Sequence, residues 1–271
     1  VIRALDHIAV AVRDFEAAVD GYKRLLGREP GLEPRDGAER AWFHLPNMAL
    51  EVIAASGEGP AGDRVRARLG AAGEGTWIAA FQVDEPGAAG RLLSRRGLEV
   101  EPIGTVVRVR AAGLDFVLTP GRIGAEVSPP TGAENAAVAA LDHVVVHTPN
   151  PDRALGLYGA KFGLDLRLDR ANEQWGARQL FFRCGDAVFE VGASLKAPVT
   201  PESLDAPDRF GGLAWRVSDP DAAQARLAAA GFDVSEVRTG RKPGTKVFTV
   251  RDAPGGVPTL MIQQTPQTEA A

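Results

Sequence analysis

The stretch ALDHIAVAV at residues 4–12 returns almost unchanged as ALDHVVVHT at 140–148, and this repetition governs how the rest of the chain is read. From His7, fifteen residues lead to Tyr22 and twenty to Gly27; from His143 the same steps lead to Tyr158 and Gly163. Farther along, MALEVIAAS at 48–56 recurs as AVFEVGAS at 187–194, so Glu51 and Glu190 follow their histidines by 44 and 47 residues. A second pair of segments aligns equally well. GTWIAAFQVDEPGAAGRLLSRRG closes on Gly97 and GGLAWRVSDPDAAQARLAAAG closes on Gly231, with Ile78 and Gly212 each nineteen residues earlier. Four units therefore follow one another as A, B, A′ and B′, starting near residues 4, 76, 140 and 210.

Each unit reads as a strand, a helix and further strands. Ile8, Val10 and Val12 alternate with His7, Ala9 and Ala11, the period of a half-buried strand. Phe15, Ala18, Val19, Tyr22, Leu25 and Leu26 then follow helical spacing, with Asp14 placed as N-cap and Gly27 just past the end. Corresponding helices are expected at 86–96, 152–162 and 220–230, and an additional one at 61–70 between A and B. The units group into halves 1–123 (modules 4–56 and 76–120) and 140–264 (modules 140–194 and 210–264). A proline-bearing linker at 124–139 joins them, and a tail at 265–271 is expected to be disordered.

Composition narrows the function classes. The 271 residues are 45% hydrophobic and 24% charged, an ordinary globular balance. A net charge of −4 supplies no basic excess to neutralise phosphates, so nucleic acid is not an expected partner. The single cysteine, Cys184, forms no internal disulfide and no thiolate zinc cluster, and is expected in the core. No apolar run reaches the length of a membrane span, and strand pattern starts at once, so the expected location is the cytoplasm.

LDHIAVAV followed by an amphipathic helix, a tyrosine and LLG resembles the opening of glyoxalase-type domains. LEVIAASGEGPAGDRVRARLGAAGEGTWIAAFQVD is similar to the middle of methylmalonyl-CoA epimerase and its relatives. Nearly the whole chain resembles the vicinal-oxygen-chelate superfamily. The resemblance implies an α+β fold of four βαβββ modules forming two cupped, mostly antiparallel sheets. In that superfamily metal ligands sit on a module's first and last strands, both facing the concave side. It points to His7, Glu51, His143 and Glu190 as ligands for a divalent ion of the Zn, Ni, Mn, Fe or Co class. The B modules depart from the pattern. Ile78 and Gly212 stand where a second histidine often occurs, Val117 stands near the expected carboxylate of B with Asp115 of the same parity nearby, and Gln263 is the candidate oxygen ligand of B′.

The donor count depends on which modules share a cup. The helical A-to-B connection resembles chains whose first two modules lie edge to edge and form their cups elsewhere, which favours A with B′ and a cup of His7, Glu51 and Gln263. Pairing A with B instead gives His143, Glu190 and Gln263. His44, His147 and Arg183 are candidate substrate contacts, and Trp42, Phe43, Trp175, Phe181 and Phe182 candidate walls. The glycine-rich basic run RTGRKPGTKV at 238–247 is a candidate lid, with a solvated hairpin as the plainer alternative. Each strand His or Glu also has a plain structural reading, as a hydrogen-bonded core group or a solvent-facing residue.

Three functions follow. The first is a metal-dependent lyase or isomerase acting on a small carbonyl compound, with Glu51 or Glu190 as ligand, base or both. The second is a metal-free protein that sequesters a small hydrophobic compound, as the drug-resistance members do. The third is a ring-cleaving dioxygenase, which needs two histidines and a carboxylate on iron. A small-molecule substrate or ligand is the expected partner, with the chain a monomer or homodimer.

Overall fold

The computed structural model describes residues 2–121, 126–196 and 200–264; the tail at 265–271 and the first residues of the linker, 124–125, lie outside the described residues. Module A comprises β1 (Ile2–Ala11), α1 (Phe15–Leu26), β2 (Gly31–Leu32), β3 (Ala38–Leu45) and β4 (Met48–Ala55). Helix α2 (Pro60–Ala72) leads to module B: β5 (Gly75–Val83), α3 (Pro86–Arg95), β6 (Glu99–Ile103), β7 (Val106–Ala111) and β8 (Leu114–Thr119). Module A′ has β9 (Val138–His147), α4 (Pro151–Ala154) continuing as a π-helical segment Leu155–Lys161, β10 (Asp165–Asn172), β11 (Ala177–Cys184) and β12 (Ala187–Ser194). Short α5 (Pro201–Asp205) precedes module B′: β13 (Arg209–Val217), α6 (Pro220–Ala229), β14 (Arg238–Thr239), β15 (Thr245–Val250) and β16 (Thr259–Gln264).

The expected α+β architecture of cupped sheets is present as two eight-stranded sheets, ordered β2-β3-β4-β1-β5-β8-β7-β6 and β10-β11-β12-β9-β13-β16-β15-β14. Module A is therefore joined to B, and A′ to B′, which corrects the expected A-with-B′ pairing. In each seam the first strands of two modules run antiparallel, His7 opposite Ala80 and His143 opposite Ala214. The free edge of β1 is satisfied by the next strand to arrive, and α2 is long enough to return the chain to it. A does contact B′, but through helices. The Tyr22 hydroxyl of α1 donates to the Pro254 carbonyl at 3.1 Å. A Cβ on Gly21 would lie 2.7 Å from Pro254 Cγ, so only glycine permits that approach.

One core lies between the two sheets. Asp14 caps α1 by accepting from the Ala17 amide, Gly27 ends it with φ 65°, and the helix lays Ala18, Tyr22, Leu25 and Leu26 on the sheet. Ile8, Val10 and Val12 meet that face and are buried. Between B and A′, Phe81 and Phe116 pack with Phe162 at 5.4 and 5.0 Å between ring centroids, and Phe116 with Tyr158 at 6.3 Å. Side chains of this size contribute roughly 1.5–3 kcal/mol each on full burial, so the shared aromatic cluster helps hold the two halves together. The concave faces, carrying His7 and His143, point away from this core.

Candidate metal centre and small-molecule cup

One β-bulge builds the polar centre of each cup. On β1, Leu5 pairs with Phe81 and His7 with Ala80, leaving Asp6 as an extra residue; on β9 the same irregularity isolates Asp142. A bulge re-aims side chains, so adjacent residues that would otherwise point to opposite faces can meet. The Asp6 carboxylate lies 2.6 Å from His7 Nδ1 and the Asp142 carboxylate 2.8 Å from His143 Nδ1. Each carboxylate accepts a hydrogen bond from Nδ1–H and leaves Nε2 facing the cup. Burial opposes ionisation of Asp142, but the hydrogen bonds and charges of His143 and Arg216 outweigh it and hold its carboxyl below the usual range. Alternation on the strands misses these aspartates, although LDH stands in both repeats.

Register delivers the glutamates. Glu51 lies beside Ala9, and Glu190 beside Val145, one strand over from the histidines. His7 Nε2 is 3.8 Å from Glu51 Oε2, and His143 Nε2 is 3.4 Å from Glu190 Oε2. Two donors bound at about 2.0–2.2 Å to one tetrahedral ion stand roughly 3.4 Å apart, so the second pair has the bite of a single divalent ion.

The two cups differ in what holds the glutamate's other oxygen. Arg40 Nη1 donates to Glu51 Oε1 at 2.7 Å, whereas Gln179 Nε2 donates to Glu190 Oε1 at 2.6 Å. Arg40 and Gln179 are repeat mates, each eleven residues before its glutamate. In the A/B cup the glutamate is paired with a permanent cation; in the A′/B′ cup the corresponding partner is a neutral amide.

They also differ in access. In the A/B cup, Ala61, Val65 and Leu69 of α2 pack on Ala11, Ala38, Ile53 and Trp77. The N-terminus of α2 is tied to the β2–β3 turn, where Ala61 and Gly62 amides donate to the Asp36 carbonyl at 3.1 Å. Gly62 makes this approach possible, since a Cβ there would lie 2.3 Å from the Gly37 carbonyl oxygen. The Glu51 side chain is 4% exposed, the Glu190 side chain 17%. In the A′/B′ half, α5 is drawn away: Arg153 donates to the Leu204 and Ala206 carbonyls, and the Asp208 amide to Ala112 of module B. Val247, Ala214 and Ile262, with Leu260, form an apolar wall opposite His143, and a Cβ on Gly192 would meet open space.

Several expected site residues lie elsewhere. Gln263 belongs to the second sheet and cannot join His7 and Glu51. Nor does it face His143: it shares strand parity with buried Met261, and its amide donates to the Ser218 carbonyl at 2.6 Å. The register equivalent of Glu190 in B′ is Leu260, opposite Ala214, because a three-residue error also reverses the strand face. Val117 takes the same place in B, opposite Ala80, and Asp115 is occupied by Trp77 Nε1 at 3.0 Å and Arg108 Nη2 at 2.9 Å. His44 stays in the A/B half, stacked 6.2 Å from Trp42. His147 is exposed at the end of β9, and Arg183 donates to the Gly185 carbonyl at the β11–β12 turn. Phe43 and Phe182 are core residues, not cup walls, while Trp42 and Phe181 stand opposite the glutamates. Among the described residues, no group of three or more His, Cys, Asp or Glu converges as a metal site, and no helix is long and apolar enough to cross a membrane.

Comparison with known proteins agrees with this architecture. Residues 4–126 and 142–249 each match a profile of the Glyoxalase/Bleomycin resistance protein/Dioxygenase superfamily. A segment of 61 residues is 41% identical to an ethylmalonyl-CoA/methylmalonyl-CoA epimerase of Cereibacter sphaeroides, covering 21% of this chain and 46% of that protein. The chain thus spans about half the length of that relative. Among solved structures, a mutant of 4-hydroxymandelate synthase from Streptomyces coelicolor superposes with TM-score 0.76 at 17% identity, over 98% of this chain and 93% of the other. A Mn(II)-bound glyoxalase from Novosphingobium aromaticivorans gives 0.69 at 16% identity, over 97% and 82%. At such identities these two show a common fold.

Proposed function

Because this chain belongs to the Glyoxalase/Bleomycin resistance protein/Dioxygenase superfamily, we propose that its A′/B′ cup is the working site, a metal-dependent lyase or isomerase centre for a small carbonyl compound. One observation carries the reading: His143 Nε2 and Glu190 Oε2 stand 3.4 Å apart with Asp142 behind the imidazole and, among the described residues, no Lys or Arg on the carboxylate, whose other oxygen accepts from the Gln179 amide. His143 and Glu190 would hold a divalent ion of the Zn, Ni, Mn, Fe or Co class. When bound, such an ion supplies Lewis acidity toward a carbonyl or enolate oxygen. Two protein donors are one fewer than catalytic zinc sites commonly use, which leaves more positions open to substrate oxygens. Asp142 fixes the ring of His143, and Gln179 fixes the carboxylate of Glu190. Glu190 is the carboxylate beside the imidazole and is assigned the proton-accepting role next to the carbonyl, giving an enolate-type intermediate. Val247, Ala214, Leu260 and Ile262 keep that side of the cup apolar and limit water. In the A/B cup, Arg40 stands where Glu51 would need to be free, so that pair is assigned a structural role.

The sparse donor set favours one further reading, metal-free sequestration of a hydrophobic compound on the same apolar wall. A ring-cleaving dioxygenase would need a second histidine, and Gly212 and Ala214 hold that part of β13. Elemental analysis of chelator-treated, reloaded full chain separates the two readings. About one divalent ion per chain, lost in His143→Ala and Glu190→Gln and retained in His7→Ala, supports the enzyme; no bound ion in the wild type rejects it in favour of sequestration.

A further inference from the structure

The two terminal strands of the second sheet, β10 and β14, are brought together at one side-chain cluster beside their turns. Trp175 sits in the β10–β11 turn, Arg170 on β10 and Arg241 in the β14–β15 turn. The Arg170 guanidinium lies 5.1 Å and that of Arg241 4.8 Å from the centre of the Trp175 ring. The tryptophan is 37% exposed. Neither guanidinium pairs with a carboxylate among the described residues; Asp169 and Asp152 nearby are taken by Arg178. Two uncompensated cations on one indole stand within about 10 Å of each other, inside a Debye length at moderate salt, so their repulsion is not screened away. An anion held at the rim beside both relieves it, and guanidinium forks match carboxylate, sulfonate and phosphate oxygens.

The cluster is aligned with the cup. Arg170 pairs with Gln179 across β10–β11, and Gln179 donates to Glu190, so the cationic rim stands two strand spacings, roughly 10 Å, from β12. Between them lie Phe181 and the space beside Gly192, faced by Leu260 and Ile262. We propose that the open cup takes an amphiphilic anion: an apolar body of about one or two rings' length against the B′ wall, with its acidic group held by Arg170 and Arg241 at the mouth. This rests on the reading that the A′/B′ cup is the site, and adds the substrate class.

Full-length protein is titrated with two fluorogenic dyes sharing one apolar body, 8-anilinonaphthalene-1-sulfonate and the uncharged N-phenyl-1-naphthylamine. The sulfonate is expected to bind at least tenfold more tightly, with the preference falling as salt rises. Arg170→Gln with Arg241→Gln should weaken the sulfonate tenfold or more and leave the neutral dye within twofold. Gly192→Phe, which fills the cup, should weaken both dyes. Equal affinity for the two dyes, unchanged sulfonate affinity in the double variant, or binding of neither dye would overturn the inference. Metal content is read on the same samples: a bound ion without anion preference sinks this inference alone, and anion preference without an ion sinks only the proposed metal chemistry.

Discussion

Exchanging Gln179 for arginine would give the open cup the same cationic partner that the closed cup already has. Gln179 Nε2 lies 2.6 Å from Glu190 Oε1, and Arg40 Nη1 lies 2.7 Å from Glu51 Oε1, so the repeat supplies the template for where the new guanidinium settles. An ion on His143 Nε2 and Glu190 Oε2 would then face a unit positive charge at roughly 5 Å. For a dication at that distance, an effective dielectric near 20 gives a repulsion of about 6–7 kcal/mol. Glu190 is partly exposed, and solvent screening cuts the usable effect to roughly half, about 3 kcal/mol. That is on the order of a hundredfold loss of affinity. Calorimetric titration of the chelator-stripped chain with Zn²⁺ and with Mn²⁺ measures it directly. Gln179→Met, of similar length and no charge, should lose fewer than about tenfold, since only the orienting hydrogen bond goes. Wild-type affinity and stoichiometry in Gln179→Arg would refute the placement of the ion on Glu190.

Asp142→Asn should cost about 10–100-fold in metal affinity by the same titration, because the imidazole loses its orienting carboxylate. Asp142 ionises below the usual carboxylate range in the fold. Its contribution to stability is therefore full above the unfolded value near ~4 and lost as pH falls through the folded value, so wild type and Asp142→Asn should converge in denaturant midpoint only in acid. Leu69→Ala on α2 should destabilise by about 2–3 kcal/mol in urea unfolding while leaving metal content unchanged, since that helix closes the A/B cup alone. Burial pushes the Cys184 thiol up to about 12; it should resist alkylation at pH 8 in the folded chain and react once urea unfolds it.

The arrangement of Phe81, Phe116, Tyr158 and Phe162 shows how far strand and helix periods reach. Alternation on β1 and β9 separates core residues from cup residues, and helical spacing places Tyr22 and Tyr158 inward, because both periods are local properties of the backbone. The capping pair Asp14 and Gly27 is legible for the same reason. Parity stops working at a bulge. Asp6 and Asp142 reach the adjacent histidines only because one extra residue stands in each seam, and nothing in the apolar–polar alternation announces it. Gln263 fails in the opposite way: counting along a module missed the register by three, and an odd error turns a side chain to the other face.

The repeated LDH phrase, the matched spacing to Glu51 and Glu190 and the four strand–helix–strands units were determined by sequence alone, since duplication and local periodicity survive without knowledge of what packs where. Which modules share a sheet, and which of two similar His–Glu pairs stays accessible, were decided only in three dimensions. Those outcomes depend on the closure of β5 onto β1, on α2 settling into one cup while α5 is drawn toward module B, and on whether a cation or an amide meets the glutamate across a strand. They are non-local contacts, fixed by which surfaces gain most by losing water together, and a one-dimensional pattern does not carry that comparison.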